Sequence, residues 1–157
     1  MLKSGLIVGA VTLVLGIGLT LISPYCVPCL AIFAGLGAGY LGGIFDKPLE
    51  TGSSAKAGAG AGAIAGVGAL GGHLIGALGN ALIVGPEGTA AFLRQFGLPA
   101  DVVADPTQYY VTVFGSGCCL GLFEIALMAG IGALGGLLWY QMMGKKASTP
   151  PAAGSLS

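Results

Sequence analysis

Apolar positions in this chain do not alternate with polar ones; they run on. One run extends from Gly5 to Ile22, a second from Cys29 to Phe45 and a third from Ala57 to Gly85, while a fourth begins between Val113 and Cys119 and continues to Met143. About 20 apolar residues suffice to cross a bilayer as a helix, and a helix is the single-segment structure that satisfies its own backbone hydrogen bonds in lipid. The pattern predicts an all-α membrane protein with four transmembrane helices, at about 5–22, 29–45, 57–85 and 113–143. The first run reads as a span and not as a cleaved signal peptide, because it is long for a signal core and Ser23-Pro24-Tyr25-Cys26 lacks a small-x-small cleavage site. Pro24 ends that span, and Pro28 stands where proline is best tolerated, in the first turn of the next.

Glycine recurs every fourth residue inside these runs, as Gly35, Gly39 and Gly43, then Gly58, Gly62 and Gly66, then Gly68, Gly72 and Gly76. In water such a density argues against a helix, whereas in lipid small residues let helices approach closely, so the expected bundle is packed through glycine and other small residues. Asp46 to Lys56 reads as a polar loop. Pro86 to Thr112 is the one long connection, and it is acidic, with Glu87, Asp101 and Asp105 against Arg94. Within it Phe92, Leu93 and Phe96 fall at helical spacing between a Pro-Glu start and a Gly97 cap, which predicts a short helix lying in the membrane interface. Residues 1–146 form one transmembrane domain in this reading, and Ala147 to Ser157 a disordered tail.

Composition agrees with the pattern and removes other classes. The chain of 157 residues is 55% hydrophobic and 8% charged, and its mean hydropathy is +0.92, outside the range of ordinary soluble domains. Six basic residues balance six acidic ones without forming a basic patch, so no nucleic-acid partner is expected; the bilayer is. The distribution of charge is more telling than its sum. Lys3, Lys47, Lys56, Lys145 and Lys146 flank one side of the predicted spans and Arg94 alone the other, which predicts a multi-pass protein with both termini cytoplasmic.

That orientation puts all four cysteines, Cys26, Cys29, Cys118 and Cys119, on the outer side, where disulfides persist. Adjacent cysteines bond each other only with strain, so two structural cross-links between the Cys26/Cys29 pair and the Cys118/Cys119 pair are the first expectation, with the pairing left open. Thiol exchange is the alternative, since a Cys-x-x-Cys at the head of a helix has its thiolate favoured by free backbone amides. The spacing is not a standard zinc pattern, so no metal is expected. In the position of Cys26 and Cys29 between the first and second spans, and of Cys118 and Cys119 at the fourth, the layout resembles the DsbB-type quinone oxidoreductases and the vitamin K epoxide reductases. The resemblance implies a membrane thiol oxidoreductase with these four cysteines as its catalytic residues and a quinone as its cofactor. Two features differ from that family: the second pair is contiguous here, and no arginine follows the Cys-x-x-Cys in Leu30 to Phe33.

Three polar residues sit at membrane depth, His73 and Asn80 in the third run and Glu124 in the fourth. Such residues face the bundle interior and find partners there, either as interhelical glue or as a proton, ion or ligand site. With a fourth helix starting at Val113, Glu124 is level with His73; with a start at Cys118 it is level with Asn80. A nucleophile–base–acid set cannot be assembled, because His73 is the single histidine, and Gly35, Gly37 and Gly39 lack the strand and acidic residue of a dinucleotide site. The leading expectation is therefore a noncatalytic subunit, without cofactor, that packs with another membrane protein or with itself. A thiol oxidoreductase is the first alternative, and a channel or carrier using His73 and Glu124 the second.

Overall fold

The computed structural model of the chain describes residues 1–22, 27–103 and 105–145, and the regular structure there is helical. The helices are α1 (Leu2–Ile22), α2 (Val27–Asp46), α3 (Thr51–Gln95) and α4 (Pro106–Trp139), with a 3-10 turn at Asp101–Val103 and a π-helical turn at Tyr140–Gly144. Each of the four α-helices is long and apolar enough to cross a membrane, so the architecture is that of a small multi-pass membrane protein. Cys26 and the expected tail at 147–157 lie outside the described residues.

Two boundaries differ from the hydropathy runs, and each has a local cause. The stretch expected to be a polar loop is largely helical: α3 starts at Thr51, and the Ser54 hydroxyl donates to the Gly136 carbonyl of α4 at 2.7 Å, which gives this polar turn a place in the bundle. Helix α4 starts at Pro106, well before Val113. Asp105 caps it by accepting from the Thr107 backbone N–H at 2.7 Å, and Pro106 occupies the first helical position, where its missing N–H is not needed. Most of the long acidic connection is thus helix.

Helix α3 has two arms. Gly85 (φ 66°, ψ 179°) breaks the helix in a backbone region that only glycine adopts easily, and Pro86 opens the short arm that follows. That arm closes at Gly97 (φ 68°): the Leu98 N–H reaches the Leu93 carbonyl at 3.0 Å and the Gly97 N–H reaches the Arg94 carbonyl at 3.1 Å, a Schellman cap.

The long arm of α3 is the centre of the molecule, touching α1, α2 and α4. Its buried face is small from Ala57 to Ala69, with Ala57, Gly58, Ala61, Gly62, Ala65, Gly66 and Ala69, and carries His73 further along. Met128 of α4 is the largest fully buried side chain. A Cβ on Gly62 would meet the Met128 carbonyl and come within 3.2 Å of Ala129 Cα; one on Gly66 would lie 2.8 Å from Ile125 Cα. Against α1, a Cβ on Gly68 would lie 2.7 Å from Gly9 Cα and one on Gly72 would lie 3.0 Å from Leu13 Cα. Between α2 and α4, Gly35 faces Met128, Gly39 faces Gly132 and Gly43 faces the Trp139 ring. Numbers therefore rise together along α2 and α4, which run parallel, and fall against each other along α3 and α4, which run antiparallel. Buried hydroxyls supplement these seams: Thr12 donates to the Ala65 carbonyl at 3.2 Å as well as to its own turn at Gly9. At the end holding the α2–α3 turn, the Met1 amine pairs with Asp46.

Candidate functional site

The end of the bundle beside the Gly85 break is where α1, α3 and α4 stop packing tightly. A cavity of about 340 Å³ lies between them, bordered by Thr20 of α1, His73, Asn80 and Thr89 of α3, and Tyr109 and Ser116 of α4. The early start of α4 contributes to its far wall, since Tyr109 occupies a turn that the hydropathy pattern assigns to a loop. The Gly85 break brings the short arm over this region, and Thr89 Oγ1 lies 3.2 Å from the Tyr109 hydroxyl. Three of the hydroxyls spend their protons on their own helices: Thr20 donates to Gly16 O at 2.7 Å, Thr89 to Gly85 O at 2.9 Å and Ser116 to Thr112 O at 2.6 Å. Such back-bonding is how hydroxyls are accommodated inside helices, and it leaves oxygen lone pairs directed elsewhere.

His73 is 6% exposed and borders the cavity, and its Nδ1 has no hydrogen-bond partner among the described residues. The other edge of its ring passes close to Gly117, where a Cβ would stand 3.8 Å from Nε2. Glu124 is 3% exposed and its Oε2 also lacks a partner among the described residues. The two do not meet. Leu70 packs on Gly121 and Gly66 on Ile125, so Glu124 stands near the level of Val67, ~9 Å along the axis from His73. With α4 starting at Pro106, Glu124 is level with neither His73 nor Asn80, and it does not border the cavity. The apolar side chain of Leu70 stands between the two levels.

Cys29, Cys118 and Cys119 are free thiols with exposed side chains, and the expected cross-link from Cys29 to the α4 pair is not formed. The register explains this. Gly35 beside Met128 and Gly39 beside Gly132 put Cys29 near the level of Leu122, about one turn away from Cys118 and Cys119, whose helix turns Gly117 and Gly121, not the cysteines, toward its neighbours. Among the described residues no three His, Cys, Asp or Glu are grouped to hold a metal.

His73 and Asn80 are visible in the sequence as polar residues in an apolar run. Thr20, Thr89 and Ser116 are not, because helical hydroxyls are ordinary; the signal available was that they cluster toward the same ends of their helices as Asn80. Comparison with protein-family models, with curated proteins and with solved structures returns no match to this chain.

Proposed function

We propose that this is a noncatalytic membrane protein that packs into, or helps assemble, a larger membrane complex, with both termini cytoplasmic and the short arm of α3 lying in the outer interface. The observation that carries this reading is a set of helical glycines where a Cβ would meet nothing within 4 Å among the described residues: Gly18 of α1, Gly37 of α2, and Gly115 and Gly130 of α4. A glycine inside a helix costs about 0.8–1 kcal/mol relative to alanine. At Gly39, Gly62 and Gly72 close backbone approach offsets that cost, and such contacts hold the bundle together in this reading. At Gly37 and Gly130 no contact among the described residues does so. The pairing of Gly35 with Met128 and Gly39 with Gly132 puts these two at the same depth. A helix of another membrane protein, or of a second copy, fits against such a surface, where small residues permit close approach.

The test is native mass spectrometry of the protein released from its own membranes in mild detergent. The wild type should carry a defined partner or a second copy, and Gly37→Leu or Gly130→Leu should release it while leaving the melting temperature of the bundle unchanged. A complex that survives both substitutions, or a wild type that is monomeric here and in membrane cross-linking, overturns the proposal.

Thiol exchange with a quinone as electron acceptor is the second reading, favoured by one observation: Cys29, Cys118 and Cys119 stand on the outer surface of the bundle and not packed between its helices, as exchanging thiols must and staples need not. Thiol trapping in native membranes decides it. A labile Cys26–Cys29 bond supports exchange, and four thiols that stay reduced under oxidant remove it.

A further inference from the structure

We propose that the cavity between α1, α3 and α4 is a binding site for an uncharged, lipid-like molecule whose head group is a hydroxyl or an amide. Its volume of about 340 Å³ is in the range of small-molecule sites. The wall is mixed in the way such sites are, with Ala77, Ala81, Val113 and Leu120 among the polar groups. No Lys, Arg, Asp or Glu borders it, so a charged head group would be buried without a counter-charge at a cost of several kcal/mol. This selects a neutral ligand.

The hydrogen-bonding capacity left over selects the head group. The protons of Thr20 and Ser116 are donated to backbone carbonyls, so these oxygens retain lone pairs that can accept. Thr89 Oγ1 and the Tyr109 hydroxyl lie 3.2 Å apart and either can donate, so these two hydroxyls satisfy each other. His73 borders the cavity too, but its Nδ1 is withdrawn from the accessible space, so the part of the ring nearest the cavity residue Gly117 is the opposite edge, with Nε2. Asn80 adds an amide that both donates and accepts. A ligand that brings at least one donor and an apolar body satisfies these groups; an ester, ether or pure hydrocarbon does not. Alcohols and primary or secondary amides of lipid type fit both demands. Glu124, two turns away and outside the wall, takes no part.

The test uses three diazirine-tagged probes of equal chain length: a monoacylglycerol, a fatty acid, and an alkyl trimethylammonium. The full-length protein in nanodiscs is photolabelled with each, and the labelled residues are mapped by peptide mass spectrometry. The monoacylglycerol should label α3 and α4 around Ala77 and Leu120, and the two charged probes should not label there above the lipid background. Val113→Phe projects a ring into the cavity from a half-buried position, and His73→Phe removes both ring nitrogens from its wall. Each should lower monoacylglycerol labelling roughly tenfold or more. If His73→Phe fails to fold, Val113→Phe decides alone, its melting temperature serving as the control. Absence of monoacylglycerol labelling in the wild type, equal labelling by the charged probes, or labelling undiminished in folded Val113→Phe overturns the proposal.

Discussion

Gly37 and Gly39 are near neighbours on α2 in opposite surroundings, and the contrast isolates what close approach contributes. A Cβ on Gly39 would run into the Gly132 carbonyl and stand 2.8 Å from Gly132 Cα; one on Gly37 would meet nothing within 4 Å. Overpacking a tight interface costs about 1–3 kcal/mol, whereas replacing an unpacked helical glycine by alanine gains up to about 1 kcal/mol. Gly39→Ala should therefore lower the melting temperature of the protein in detergent micelles, and Gly37→Ala should hold or raise it. Equal losses at both positions would mean that glycine is needed for something other than helix contact. The same scale contains Ser54, whose hydroxyl ties the start of α3 to Gly136 of α4. Interhelical hydrogen bonds in membrane proteins average about 0.6 kcal/mol, so Ser54→Ala is expected to destabilise mildly, by less than Gly39→Ala. A larger loss for Ser54→Ala would make the polar tie, not the backbone seam, the stronger fastening.

At the scale of the element, the break in α3 is the feature on which the cavity depends. Gly85 holds a backbone conformation that costs about 1–3 kcal/mol for other residues, and no neighbouring atom crowds it, so a substitution there acts through the backbone alone. Gly85→Ala should loosen the short arm and the Thr89–Tyr109 contact while leaving the rest of the bundle intact. Hydrogen exchange should then quicken over 86–95 and stay slow over the long arm of α3; uniform quickening would show that the short arm is part of the cooperative core. The helix of the short arm, though not its place in an interface, was legible in the sequence because Pro86-Glu87 and Gly97 are strong local signals that need no tertiary context. The start of α4 was not. Asp105-Pro106 is an equally good helix start, but Tyr109 and Tyr110 look like markers of the membrane boundary, and hydropathy weighs such residues as loop. Moving that start moved the depth of Glu124 with it. Depth is set by interhelical register, which a single sequence does not display, and so the relation of Glu124 to His73 had to come from contacts such as Leu70 on Gly121.

The whole molecule has two ends of unlike charge, and this is where the membrane orientation becomes testable. Antiparallel succession brings the start of α1, the α2–α3 turn and the end of α4 to one end, with Lys3, Lys47, Lys56 and Lys145, while Arg94 and the acidic Asp101 and Asp105 lie at the other, beside the cavity. Basic residues in short flanks hold their end in the cytoplasm, so the cavity should face outward. The cavity end contains arginine but no lysine among its described residues, and amine-reactive reagents distinguish the two. An impermeant amine reagent applied to intact cells should leave the protein unlabelled, and permeabilised cells should give modified Lys47 and Lys56, both of which are exposed. The exposed Gln95 supplies the positive control, because Gln95→Lys places an amine at the outer end and should be labelled in intact cells. The reverse result, with Lys47 and Lys56 labelled from outside and Gln95→Lys protected, would invert the molecule. It would place the cavity and the thiols of Cys29, Cys118 and Cys119 nearest the reducing cytoplasm, where exchange through stable disulfides has no support and free thiols are the resting state.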